Sequence, residues 1–172
     1  NKQAEEFLSL ANWSVLKHPD CSNAIRSQLH RNFGKLYASQ GRYQEALQQL
    51  SSDVYFSSLE IGPEHVDTAG GFYHMANIFY AQNRIENALA MFDKVVDIWY
   101  KFLAGVRNAK KDTGTVLGEA QLAEALDHLS KILTMRRKVL GERHIASGEA
   151  LYTQGLLRLF MGEKGAARDD IE

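Results

Sequence analysis

Catalysis in this chain would have to come from its histidines, its one cysteine or a glycine-rich turn, so their spacing is the first thing to weigh. None of the six histidines forms an H-x-x-x-H pair that would set two imidazoles on one helix face, and a single cysteine, Cys21, cannot build a thiolate cluster. No zinc is expected in this segment. His65 and His144 fall at inferred helix starts and His30 and His74 inside helices, where capping and packing are the expected roles. Cys21 can make no internal disulfide and no motif activates it, so it is expected as a small buried hydrophobe in a reducing compartment. Gly70-Gly71 lacks the G-x-G-x-x-G and G-x-x-x-x-G-K-[ST] spacings of phosphate loops, and no strand precedes it. Close helix packing accounts for it better. Serine, histidine and aspartate occur without a nucleophile elbow. The expectation is therefore a protein that is not an enzyme, with no catalytic residue, cofactor or metal.

The side chains that remain suit recognition. Tyr73, Asn77 and Tyr80 lie four and three residues apart, on one side of an inferred helix whose other side would carry Phe72 and Phe79 into a core. The preceding helix of the same type offers Gln28, Arg31 and Lys35, and the last offers Glu149, Tyr152 and Leu156. Where helical hairpins stack, such positions line a concave groove. The expected partner-binding residues are Gln28, Arg31, Lys35, Tyr73, Asn77, Tyr80 and Tyr152. Truncating Tyr73 and Tyr80 is expected to weaken binding and leave helicity intact. The groove would be basic at one end and aromatic further along, suiting a peptide with acidic and apolar side chains. Trp13, Trp99 and Tyr100 fall on the opposite helices and are expected to pack.

Those positions need a frame, and the alanines supply it. Ala4, Ala46, Ala88, Ala125 and Ala167 are 42, 42, 37 and 42 residues apart, each with an apolar residue four positions later: Leu8, Leu50, Phe92, Leu129 and Ile171. One helical hairpin cannot bury its apolar face alone, so a period of this kind marks stacked copies. The second unit reads Asn32-Phe33-Gly34, Tyr37, Gly41, Tyr43, Ala46, Leu50, and the third reads Met75, Ala76, Phe79, Asn83, Ile85, Ala88, Phe92. Both resemble the tetratricopeptide pattern, in which a small residue lets helix A of a hairpin approach helix B. Gly41 and Asn83 sit in the tight turns and tolerate left-handed backbone. The period exceeds the usual 34 residues, similar to the extended repeats of kinesin light chains. Leu140-Gly141-Glu142-Arg143-His144 echoes Ile61-Gly62-Pro63-Glu64-His65, 79 residues apart, as one 42 step and one 37 step require.

The spacing predicts an all-α tetratricopeptide α-solenoid of antiparallel hairpins, with helices at 1–17, 23–39, 43–60, 65–82, 85–104, 119–140, 144–161 and from 164. Residues 1–104 hold a partial first unit and two full ones; 105–118, polar and carrying Gly114, read as a loop or degenerate helix; 119–172 hold further repeats, the last truncated. Two prolines, 13 glycines, 45% hydrophobic and 24% charged residues fit a soluble helical chain. A formal charge of −1 with mixed signs argues against nucleic acid. No apolar run approaches the roughly 20 residues that cross a bilayer, so no membrane partner is expected.

Ala11 to Tyr37 and Asp53 to Tyr80, including Asp20-Cys21-Ser22-Asn23-Ala24, which no repeat consensus demands, resemble the tetratricopeptide region of the MYND-zinc-finger proteins of ciliary and flagellar axonemes, a family with an inner dynein arm d subunit among its members. The resemblance covers roughly 5–100. It implies a cytoskeletal scaffold in the cilium or flagellum axoneme, with inner-arm dynein subunits and a second tetratricopeptide protein as partners. It carries no zinc ligand onto this sequence. The alternative from the repeat itself is a cytoplasmic, kinesin-light-chain-like adaptor that captures cargo peptides in the groove.

Overall fold

The computed structural model describes residues 2–108 and 117–171. Those residues form helices joined by turns: α1 (Lys2–Lys17), α2 (Asn23–Ser39), α3 (Tyr43–Ile61), α4 (Val66–Ala81), α5 (Ile85–Asn108), α6 (Glu119–Leu140), α7 (Ile145–Phe160) and α8 (Lys164–Ile171). The helices fall where the alanine register puts them, with α5 running four residues further than expected. The expected loop at 105–118 lies largely in 109–116, outside the described residues. Contacts divide the chain into two compact units, Asn1–Met91 and Phe92–Glu172, the division falling within α5.

The first unit is built on a close approach of α2 and α3. Gly34 faces Leu50: a Cβ there would come within 2.6 Å of the Leu50 Cγ and 3.4 Å of the Ala46 carbonyl oxygen. Ala46 and Leu50 have no exposed surface and form a core with Ile78 of α4. Full burial of a leucine side chain is worth about 1.5–3 kcal/mol. Tyr37, Tyr43 and Met75 pack around that core. Gly71 on α4 fits as closely, since a Cβ there would come within 2.6 Å of the Val54 side chain and 2.9 Å of the Asp53 carboxylate, so Gly70-Gly71 does serve helix packing. Its neighbour Gly70 faces the Arg31 guanidinium. Ala88 is likewise fully buried, whereas Ala4 is exposed.

Turns follow the sequence closely. Gly41 and Asn83 take positive φ, 75° and 58°, in the α2–α3 and α4–α5 turns. Asn tolerates this conformation better than other side-chain-bearing residues. Ser22 caps α2 by accepting from the Ile25 amide. The signature around Gly62 and Gly141 is one structure built twice. Each glycine ends a helix at φ near 100°, each histidine caps the next helix through Nδ1, and a hydroxyl (Thr68 or Ser147) donates back to the glycine carbonyl at 3.0 or 3.1 Å. Arg42, at the α2–α3 turn, holds α1: it donates to Glu5 at 3.0 Å and to Glu45, and lies 4.0 Å over the Tyr37 ring. Those bonds hold both carboxyls below their ordinary pKa range.

The second unit packs α6, α7 and α8 through the same kind of residue. Ala125, Leu129, Ala150, Leu157 and Ala167 are buried, and Gly155 leaves room for Ile171, which a Cβ would meet at 2.7 Å. From α5, Val95, Ile98, Trp99 and Leu103 are buried.

Two glycines separate close approach from mere flexibility. Gly34→Ala is expected to destabilise the chain by about 1–3 kcal/mol, because the fully buried Leu50 cannot give way. Gly148→Ala, in α7 with open space around it, is expected to stabilise by about 0.5–1 kcal/mol. Urea unfolding followed by helical circular dichroism measures both.

Candidate functional site

The first unit presents a cleft of about 370 Å³ between α2 and α4. Gly34, Leu50 and Ile78 form an apolar floor, and Lys35, His74 and Asn77 stand at its walls. Lys35 and Asn77 are exposed, so a cation and an amide face the space where a partner chain would lie. These are two of the seven residues expected to bind a partner, and the cleft brings them together. Gln28 is exposed on α2, its amide 3.3 Å from Asn32. Tyr80 is half-buried on α4. Tyr152, in the second unit, is exposed on α7 beside Tyr100, ring centroids 6.4 Å apart, at the edge of a separate groove.

Two of the seven belong to the frame. Tyr73 is only 5% exposed. It points into the core that Phe72 and Phe79 were expected to fill, and those two are only half-buried. Tyr73 shares its buried face with Ala69 and Ala76, at 1% and 0% exposure, four and three residues away on the same side of the helix. Phe79 instead lies under the Arg84 guanidinium at 4.5 Å.

Arg31 is the second correction. Its guanidinium grips Asp53 through Nε at 2.8 Å and Nη2 at 3.1 Å, and Nη2 also donates to the Asp67 carbonyl at 2.7 Å. Asp53 has no exposed surface and accepts a further bond from Ser27 at 2.6 Å. A buried carboxylate requires partners of this kind. One cluster therefore ties α2, α3 and the first turn of α4, and Arg31 is a strut of that cluster. Sequence reasoning missed it, although the register held a signal: seven residues after Ala46 stands Asp53, where the other copies have Ala11, Val95 and Ile132.

Smaller expectations are revised as well. Trp13 and Tyr100 are exposed at 59% and 45%, Lys17 lying over the Trp13 ring, whereas Trp99 packs as expected. Cys21 is a half-buried free thiol in the α1–α2 turn.

Among known families, the tetratricopeptide repeat model matches residues 120–146, which cover α6 and the turn into α7. The fold is that of the tetratricopeptide repeat. Two crystal structures of a kinesin-light-chain-like protein from Podosopora anserina, with nearly identical tetratricopeptide-like repeats, align with the chain. The first, a single-substitution variant of that protein, has TM-score 0.48 and 19% identity over 99% of this chain and 84% of that one. The second has TM-score 0.45 and 15% identity over 99% and 85%. Tetratricopeptide arrays serve as protein-interaction scaffolds, presenting repeated surfaces to partners.

The corrections separate frame from surface. Tyr73→Ala is expected to cost about 3–5 kcal/mol of stability, as truncation of a large buried aromatic does. Lys35→Glu, on the cleft wall, is expected to change stability by no more than about 0.5 kcal/mol. Chemical unfolding midpoints of the two variants decide it.

Proposed function

We propose that this chain is a non-catalytic scaffold of the ciliary axoneme that helps to dock an inner-arm dynein on doublet microtubules together with a second tetratricopeptide protein. The observation that carries the reading is the resemblance of Ala11 to Tyr37 and Asp53 to Tyr80 to the axonemal MYND-zinc-finger family. Its mechanism is positional: tied hairpins hold exposed side chains at fixed separations, so a partner meets a preorganised surface and loses less freedom on binding. The strut at Arg31 and Asp53 supports this, since it stiffens the helices that carry Lys35 and Asn77 without occupying the cleft.

A second reading rests on the cleft itself. Its apolar floor beside a lysine and an amide suits a short peptide with a carboxylate and an apolar side chain, as a cytoplasmic cargo adaptor would bind.

Fractionation of isolated cilia distinguishes them. After detergent removes the membrane and high salt extracts the axonemes, the scaffold reading predicts that this protein leaves with inner-arm dyneins and crosslinks to a subunit of that arm. Recovery in the detergent-soluble fraction, without crosslinks to dynein, would overturn it in favour of the cargo adaptor.

A further inference from the structure

The second unit contains a groove of about 870 Å³ bounded by α5, the α6–α7 turn and α7, chemically unlike the cleft of the first unit. We propose that it docks a cationic segment of a partner protein, one in which lysine or arginine side chains flank an aliphatic or aromatic residue. This rests on the scaffold reading and specifies what the scaffold recognises at this face.

Charge is the first argument. Four carboxylates line the groove: Asp93, Asp97, Glu142 and Glu149. Against them stand two guanidiniums, and one of these, Arg136, is already engaged. Arg136 is 1% exposed, donates to Asp93 and, at 2.5 Å, to the Ala146 carbonyl, and leaves its buried Nε without a partner among the described residues. Its effect is to fix Asp93, whose side chain stays 62% exposed, in one orientation at the groove wall. Asp97 is paired with Lys101 one turn along α5 at 2.9 Å, with both side chains about half exposed. Such a pair is worth little and exchanges readily for a partner's cation. Glu142 and Glu149 are exposed, and their carboxylates make no ion pair among the described residues. With four carboxylates against Arg136 and the exposed Arg143, the lining favours a basic segment over an acidic one.

The apolar part is the second argument. Tyr100 and Tyr152 expose 45% and 37% of their surface side by side, and Ile145 exposes 76% at the start of α7. Tyrosines set between carboxylates give a cationic segment what it needs: ring faces for its charges, and a patch that an aliphatic side chain can desolvate.

The test uses the full chain and two fluorescein-labelled dodecapeptides, one of three Lys-Leu-Lys-Ala repeats and one of three Glu-Leu-Glu-Ala repeats, read by anisotropy. The cationic peptide is expected to bind at least about tenfold more tightly than the anionic one, and Asp97→Lys with Glu149→Lys is expected to weaken it by about tenfold. Tyr152→Ala is expected to weaken it several-fold with its salt dependence unchanged. Glu60→Lys, on exposed surface of the first unit, is expected to leave binding as it was. Preference for the anionic peptide, indifference to the double reversal, or equal sensitivity to Glu60→Lys would each overturn the proposal. If thermal melts show that the double reversal unfolds the chain, Glu142→Lys with Tyr152→Ala reads the same groove. Failure here with axonemal co-extraction intact would remove the groove assignment alone.

Discussion

A carbonyl oxygen has two lone pairs, and at the second residue of two of these helices one lone pair receives a guanidinium from a neighbouring helix. In the first unit Arg31 of α2 donates to the Asp67 carbonyl; in the second, Arg136 of α6 donates to that of Ala146. The two carbonyls occupy the same place in the repeat, two residues after the capping histidines His65 and His144. The guanidinium in each case also holds a carboxylate on another helix, Asp53 or Asp93. An apolar contact fixes how far apart two helices lie but allows them to slide; a planar donor fork with defined acceptors sets the start of an A helix against its neighbours. The tie recurs although the arginine comes from an A helix in one unit and a B helix in the other.

The surfaces follow from these ties. In the first unit the guanidinium and carboxylate are both withdrawn inward, leaving the cleft to Lys35, His74 and Asn77 over an apolar floor. In the second unit the carboxylate partner remains at the surface, and with Asp97, Glu142 and Glu149 it gives the groove an acidic lining. One structural device thus yields two faces of different charge, and a scaffold with two such faces can distinguish partners that a uniform array could not.

Much of the frame was legible in the residues. The alanine spacing, the Gly34–Leu50 approach, the left-handed turns at Gly41 and Asn83 and the histidine-capped signature all rest on local geometry, which leaves marks at fixed offsets. The surfaces were less so. Helical periodicity gives the spacing of a stripe and not its absolute rotation, so Tyr73 is buried in the core while Phe72, adjacent and also aromatic, is only half-buried. Arg31 was taken for a groove cation because its partner Asp53 lies 22 residues away on another helix, beyond any local pattern. Yet a carboxylate in the slot that holds Ala11, Val95 and Ile132 in the other copies was a visible departure, and a buried charge out of register implies a partner.

The central claim is that Arg31 and Asp53 act as one strut holding the hairpins from which the surfaces project. A double-mutant cycle tests it most directly, with unfolding free energies for Arg31→Met, Asp53→Leu and the two combined. Arg31→Met alone strands a fully buried carboxylate and is expected to cost about 3–5 kcal/mol, whereas the pair should cost clearly less than the sum, with a coupling of about 1.5–3 kcal/mol. Additivity of the two single changes to within about 0.5 kcal/mol would contradict the strut and return Arg31 to the groove.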